Sequence, residues 1–212
     1  MNKTLLNGII KDFFDLKQKE LPDWLSSEIT SKNAVLKSYL WTSNVFTRIR
    51  LCELQIEDKF EAETLVIYPN SEYDYPIFGT EYVRIMNRRH LAAIDFHPIS
   101  DNREYLKFLS EFPDIKIEHS KFYNLKEFFS NKMWIKKQRE DFYDEYVIWV
   151  KNYLHQYKKL LSMCNKSSKS FETSHQKYNY YMASNDPAFG ILKSYFGKDF
   201  SEKYINEFLF ST

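Results

Sequence analysis

Glycine is scarce in this sequence of 212 residues, which has only four of them. Phosphate-binding loops and the dinucleotide motif G-x-G-x-x-G need several glycines close together, because the backbone there approaches the ligand. Neither pattern can be written around Gly8, Gly79, Gly190 or Gly197. A nucleotide-binding fold of the usual kind is therefore excluded.

Metal-binding patterns are also missing. The two cysteines, Cys52 and Cys164, are too few for a thiolate zinc site and lack C-x-x-C spacing, and the five histidines form no H-E-x-x-H motif. We therefore predict that the protein has no metal site. The small number of cysteines favours a reducing compartment, and we expect a cytoplasmic protein.

Long apolar runs are absent, since no segment approaches the ~18 apolar residues that a membrane-spanning helix needs. The residues from Leu5 to Leu16 have apolar side chains at helical spacing, interrupted by charges. This pattern predicts an amphipathic helix rather than a signal peptide, so we expect a soluble protein with no membrane partner. Because apolar heptads are missing too, we expect a monomer.

Charge of one sign is not in excess, because 30 Lys and Arg residues balance 29 Asp and Glu residues. The net charge of +1 gives no global attraction to nucleic acid, and no nucleic-acid partner is expected. A local basic cluster could nevertheless bind an acidic protein or the carboxylates of a small ligand, although an ordinary mixed surface is the alternative. The cluster comprises Arg48, Arg50, Arg84, Arg88, Arg89, Lys136, Lys137 and Arg139.

Aromatic residues are abundant, at 18 % of the chain. Five segments in the middle of the chain predict β-strands, at 45–55, 60–68, 82–86, 91–96 and 132–137. Short polar connectors such as Glu57-Asp58-Lys59 predict antiparallel hairpins between consecutive strands.

After residue 138 the apolar residues change to helical spacing. We predict a long helix over 142–161, a second helix over 172–183, and a short helix that Pro187 opens and Gly197 ends. A last helix is predicted to begin near Asp199. Strands in the middle and helices at both ends predict an α+β fold.

Three acidic residues occupy unusual positions. Glu81 follows a glycine turn and an aromatic cluster, so that it points either into solvent at a strand end or into the face of the sheet. Asp186 precedes Pro187 and could cap the helix that follows. Asp95 lies within an otherwise apolar strand, where an acid needs a partner or a cavity.

Six short motifs, in their order along the chain, carry a resemblance to a known family. They are S-Y-L-W (38–41), V-I-Y-P (66–69), Y-D-Y-P-I-F-G-T-E-Y (73–82), H-L-A-A-I-D-F-H-P-I (90–99), N-D-P-A-F-G (185–190) and S-Y-F-G-K-D-F-S…E-F-L-F (194–210). From about residue 30 to its C-terminus the chain resembles the ferredoxin-dependent bilin reductases. The resemblance implies a single bilin reductase domain over residues 1–212. It also implies a three-layer α/β/α sandwich, in which a central antiparallel β-sheet is flanked by helices on both faces.

The resemblance further implies the chemistry. The family binds no metal and no flavin; reduced ferredoxin supplies single electrons, side chains supply protons, and the bilin passes through radical states. Within the family the chain is most similar to members that reduce biliverdin IXα by two electrons at the C15–C16 double bond, giving 15,16-dihydrobiliverdin. The alternatives are four-electron reduction to phycoerythrobilin, reduction of dihydrobiliverdin, and a non-catalytic bilin carrier. The implied partners are biliverdin IXα, ferredoxin and, for transfer of the intermediate, the next bilin reductase.

The resemblance also assigns polar site residues by their positions. The family's catalytic Asp in F-G-x-D corresponds to Glu81, which adds a methylene group, and the second catalytic acid corresponds to Asp186. Thr64 stands where several members have His or Asn. Lys137 replaces an Arg that binds the propionates of the bilin, and Asp95 corresponds to an acid of the pocket.

Apolar residues complete the expected substrate site. Val66 is the first residue of the V-I-Y-P motif and is expected to contact the substrate. The aromatic residues Phe78, Phe96 and Phe189, together with Tyr73 and Tyr75, are expected to form a flat apolar slot for the tetrapyrrole.

Overall fold

An antiparallel sheet of eight strands forms the centre of the computed structural model, which describes residues 6–86, 88–100, 107–108, 128–130, 132–163 and 166–211. The order across the sheet is β1-β3-β4-β5-β6-β7-β8, and β2 also pairs with β3. The strands are β1 (Lys17–Gln18), β2 (Glu28–Ser31), β3 (Ala34–Thr42), β4 (Phe46–Ile56), β5 (Phe60–Pro69), β6 (Ile77–Ile85), β7 (Arg89–His97) and β8 (Trp134–Gln138).

Short turns place consecutive strands side by side, as the sequence predicts. The β4–β5 hairpin pairs Ile56 with Phe60, and its turn places Asp58 at a φ of 57°. The β6–β7 hairpin pairs Ile85 with Arg89. Both predicted hairpins are confirmed.

Helices cover both faces of the sheet. They are α1 (Leu6–Phe13), α2 (Tyr143–Met163), α3 (Glu172–Asn185), α4 (Ala188–Phe196) and α5 (Lys198–Lys203), and α5 continues into a π-helical segment, Tyr204–Leu209. Each lies where helical spacing predicts one. Among the described helices, none is long and apolar enough to cross a membrane. Cys164 lies outside the described residues.

Two apolar cores separate the three layers. On one face of the sheet, Phe78 and Phe96 pack with α1 and α2. On the other face, Val66 packs with residues of α3, α4 and the π-helical segment, including Tyr178 and Phe208. The predicted α/β/α sandwich is confirmed, and it leaves the second face beside the C-terminal helices as the place for a ligand.

Candidate active site

A cavity of about 420 Å³ lies between the sheet and the C-terminal helices. Strands β4 to β7 form its floor, and α3, α4 and the end of the chain form the opposite wall. Much of the floor consists of small apolar side chains, namely Ala62, Val66, Val83 and Ala93. These small side chains leave room above the sheet for a ligand.

The alternation of side chains along a strand decides which residues face this cavity. On β6, Gly79, Glu81 and Val83 line it. Thr64 of β5 is the direct cross-strand partner of Glu81, so these two polar side chains are neighbours on the floor. Because β6 begins at Ile77, Glu81 lies in the middle of a strand rather than at a solvated end.

Glu81 has an acidity unlike that of an exposed carboxyl. Burial, together with the nearby charge of Asp186, raises its pKa to about 7. A carboxyl of this pKa is partly protonated near neutral pH, so it can both donate and accept a proton there.

Asp186 reaches the cavity from the opposite wall, at the junction between α3 and α4. Its Oδ1 accepts the backbone N–H of Ala188 at 2.7 Å, so the residue also caps α4. Burial raises the pKa of Asp186 to about 6, although this hydrogen bond and the charge of Arg50 oppose the shift. The cavity therefore has an acid of raised pKa on each side.

Asp95 lies on the floor and has the partners that its buried position requires. Its side chain accepts hydrogen bonds from the backbone N–H of Ser130, at 2.8 Å, and from the Ser130 hydroxyl. The Nδ1 atom of His97 lies 3.6 Å from Asp95 Oδ2 and donates a hydrogen bond to the Phe128 carbonyl at 3.0 Å. These contacts hold residues 128–130 beside β7, and burial raises the pKa of Asp95.

Arg50 is a cavity residue that the sequence placed in the basic cluster. Its side chain is only 1 % exposed and lines the cavity from β4. It donates to the Phe208 carbonyl and to the Tyr68 hydroxyl, both at 2.9 Å, and Tyr68 in turn donates to Asn179 at 2.7 Å. The expectation of a basic surface is wrong for Arg50, because β4 turns this position towards the C-terminal helices.

The expected aromatic slot is wrong in its composition. Phe78 and Phe96 are cross-strand partners on the opposite face, where they pack with Tyr157 of α2, and Tyr75 belongs to the same core. Phe189 of α4 packs at the edge of the other core and is not among the cavity-lining residues, and Tyr73 stacks on Tyr75. The odd–even alternation of β6 and β7 separates these rings from Glu81 and Asp95.

The remaining predicted substrate residues divide between the cavity and its rim. Val66 and Thr64 line the cavity. Lys137 does not; it is exposed on the edge strand β8, where it pairs with Leu91. Because Leu91 lines the cavity, the Lys137 side chain lies on the same face, beyond the rim.

Comparison with known proteins identifies the family. A sequence model described as ferredoxin-dependent bilin reductase matches residues 4–211. This chain belongs to the ferredoxin-dependent bilin reductases. It is 32 % identical to a protein of Prochlorococcus marinus (strain NATL1A) over 99 % of this chain and 96 % of that one. It is 25 % identical to a protein of Nostoc punctiforme over 99 % of this chain and 95 % of that one.

Both relatives are named 15,16-dihydrobiliverdin:ferredoxin oxidoreductase. Among solved structures, tomato phytochromobilin synthase in complex with biliverdin covers 99 % of this bilin reductase with a TM-score of 0.80 and 18 % identity, and the bilin reductase covers 83 % of it. That likeness supports the fold.

The family model and the named relatives show that the bilin reductase is an enzyme that reduces a bilin with electrons from ferredoxin. Within the described ranges, no three His, Cys, Asp or Glu side chains are close enough to hold a metal ion.

Proposed function

We propose that this bilin reductase reduces biliverdin IXα by two electrons at the C15–C16 double bond and releases 15,16-dihydrobiliverdin. The observation that carries the proposal is the pair of carboxyls with raised pKa, Glu81 on the floor and Asp186 on the opposite wall. The relatives named for 15,16-dihydrobiliverdin support the choice of bond. The biliverdin in the tomato structure supports the choice of substrate.

In the proposed reaction, biliverdin lies on the small side chains of the floor with its propionates towards Lys137. Two molecules of reduced ferredoxin each supply one electron, and two protons balance these electrons. One hydrogen is added to C15 and the other to C16. Glu81 and Asp186 donate the protons and are reprotonated from solvent.

The burial of both carboxyls explains why they can perform this step. An exposed carboxyl is ionised at neutral pH and has no proton to give. Because burial holds the pKa of Glu81 at about 7 and that of Asp186 at about 6, each is partly protonated under these conditions. A planar apolar ligand in the cavity would exclude water and raise both pKa values further.

The proposal is tested by anaerobic incubation with biliverdin IXα and reduced ferredoxin, followed by absorption spectra and chromatography. We expect one product that absorbs at shorter wavelength, because reduction at C15 interrupts conjugation. Glu81→Gln and Asp186→Asn should each slow its formation by about 100-fold or more.

Glu63→Gln is the matched control. Burial also raises the pKa of Glu63, to about 8, but its carboxyl accepts a hydrogen bond from Tyr143 on the opposite face of the sheet. This variant should reduce biliverdin at the rate of the parent. Parent rates in both Glu81→Gln and Asp186→Asn would contradict the assignment of proton donors. Phycoerythrobilin as the product, or a bound bilin with an unchanged spectrum, would contradict the proposed reaction.

A further inference from the structure

Three buried polar side chains stand at one end of the cavity, and two of them have a buried hydrogen-bonding group without a partner among the described residues. Arg50, His97 and Tyr178 all line the cavity, and they are 1 %, 4 % and 0 % exposed. The Arg50 Nε and the Tyr178 hydroxyl are buried with no hydrogen-bond partner. Leaving such groups unpaired costs free energy, which suggests that a ligand pairs with them.

The three side chains form one cluster. The rings of His97 and Tyr178 are 5.1 Å apart, and the ring of Tyr178 is 6.1 Å from that of Tyr68. Arg50 stands over Tyr68, with its Cζ 5.0 Å from the ring centroid. In the sheet, Arg50 is the cross-strand partner of Val66, and Val66 is the cross-strand partner of Gly79.

Two of these side chains still have hydrogen-bond donors to offer, and the third offers an acceptor. The guanidinium of Arg50 has five N–H groups and no acceptor, and only two acceptors in the described structure receive hydrogen bonds from it. Tyr178 offers its O–H. Because His97 Nδ1 donates to the Phe128 carbonyl, the Nε2 of the neutral ring is an acceptor.

We propose that this end of the cavity binds a terminal lactam ring of the bilin, with Arg50 and Tyr178 donating to its carbonyl oxygen and His97 Nε2 accepting from its N–H. The proposal rests on the proposed function and adds the orientation of the substrate. A lactam presents an acceptor and a donor on one edge, which matches the cluster. A propionate presents acceptors alone and would place an oxygen against His97 Nε2.

The position of the cluster also favours a terminal ring. Its residues are almost inaccessible to solvent, whereas Lys137 is exposed on β8. Four strand spacings separate β4 from β8, which corresponds to ~19 Å. A bilin held by a lactam at the buried end can therefore extend its propionates towards the exposed rim.

Tyr178→Phe is the sharpest test because it removes only the hydroxyl. That hydroxyl has no partner in the described structure, so the ligand-free variant should be as stable as the parent or more stable. Binding of biliverdin, measured by absorption titration, should weaken by about 3- to 10-fold. The opposite signs of the two effects distinguish a ligand contact from a structural role.

Tyr157→Phe is the reciprocal control. The Tyr157 hydroxyl donates to the Pro76 carbonyl at 2.7 Å within the other core. This variant should be less stable than the parent and should bind biliverdin with the parent's affinity.

In the parent, the vibrational band of one bound lactam carbonyl should lie below that of free biliverdin and should rise in Tyr178→Phe.

Biliverdin dimethyl ester separates a lactam from a propionate as the group bound here. Tyr178→Phe should also bind the ester more weakly than the parent does. Equal affinity of the two proteins for the ester would overturn the lactam assignment. Equal affinity of Tyr178→Phe and the parent for biliverdin would overturn the inference while leaving the proposed function intact. A parent protein that does not bind biliverdin would instead overturn the proposed function and the inference with it.

Discussion

His97 occupies the space that a side chain at position 79 would fill. A Cβ built on Gly79 would stand 2.4 Å from His97 Nε2, which is closer than real atoms approach. The imidazole cannot easily retreat, because its Nδ1 is bound to the Phe128 carbonyl at 3.0 Å. Gly79 is therefore required by packing and not by its backbone conformation. Among the described glycines, only Gly197 has a positive φ.

We expect Gly79→Ala to lower the free energy of unfolding by about 1–3 kcal/mol, because either the histidine or the strand has to move. Urea unfolding measures this loss. In a His97→Ala background the same substitution should cost much less, because the clashing ring is gone. An equal cost in both backgrounds would show that His97 is not the cause.

Residue identity predicted the polar side of the site better than the apolar side. Thr64, Glu81, Asp95 and Asp186 line the cavity because acids and hydroxyls in apolar strands or at helix junctions have few other positions. The aromatic residues carry no such constraint, since a ring packs equally well on either face of a sheet. Only the register of β6 and β7 shows that Phe78 and Phe96 face α2.

The junction between α4 and α5 depends on one backbone conformation. Gly197 has a φ of 89° and a ψ of 164°, a region that residues with a Cβ rarely adopt, and its N–H donates to the Lys193 carbonyl. This turn directs α5 and the π-helical segment back over the sheet. There, the Phe208 carbonyl accepts hydrogen bonds from both Arg48 and Arg50.

Gly197→Ala should lower the free energy of unfolding by about 1–3 kcal/mol in a thermal or urea denaturation experiment. Gly190→Ala is the matched control, because Gly190 lies within α4 and a Cβ there would meet nothing within 4 Å. Helix propensity should make that variant as stable as the parent or slightly more stable. A Gly197→Ala variant as stable as the parent would refute the role of this turn.

Among the elements, those with a clear apolar period or clear turns at their ends were predictable, and β3 was not. The helices α1, α2 and α4 show a period close to 3.6, and β4, β5 and β7 are bounded by clear turns. The strand β3 has apolar side chains on both faces, at Leu36 and Leu40 on one and at Tyr39 and Trp41 on the other, so its alternation is hidden. The sequence also placed the start of β6 too late, because Pro76 and Gly79 suggested a turn where a strand begins.

Across the whole molecule, half-buried acids with raised pKa lie on both faces of the sheet. Burial raises the pKa of Glu81 to about 7 and that of Asp186 to about 6 beside the cavity. On the α2 face, burial raises the pKa of Glu63 to about 8, although the Tyr143 hydroxyl donates to it at 2.8 Å. All three carboxyls therefore hold protons more tightly in the folded chain than in the unfolded one.

Buried histidines have the opposite effect on the pH dependence of stability. Burial lowers the pKa values of His90, His97 and His175 below the usual 6.5, so the unfolded state binds more protons at these sites and stability rises as pH approaches 6.5. Below that pH, the histidines make stability rise with pH, whereas the acids make it fall. Above it, the acids alone remain, and stability should fall as pH rises through the pKa values of Glu81 and Glu63.

Glu63→Gln should reduce the decrease of unfolding free energy with rising pH in the ligand-free protein. Between pH 6.5 and about 8 the parent should lose on the order of 1 kcal/mol of unfolding free energy through Glu63. The glutamine cannot ionise and still accepts a hydrogen bond from Tyr143, so most of the loss should disappear in urea titrations at several pH values. A decline equally steep in the variant would mean that Glu63 is already ionised in the folded protein at neutral pH. In that case the decline would come from other acids with raised pKa, among them Glu81, and Glu81→Gln would reduce it.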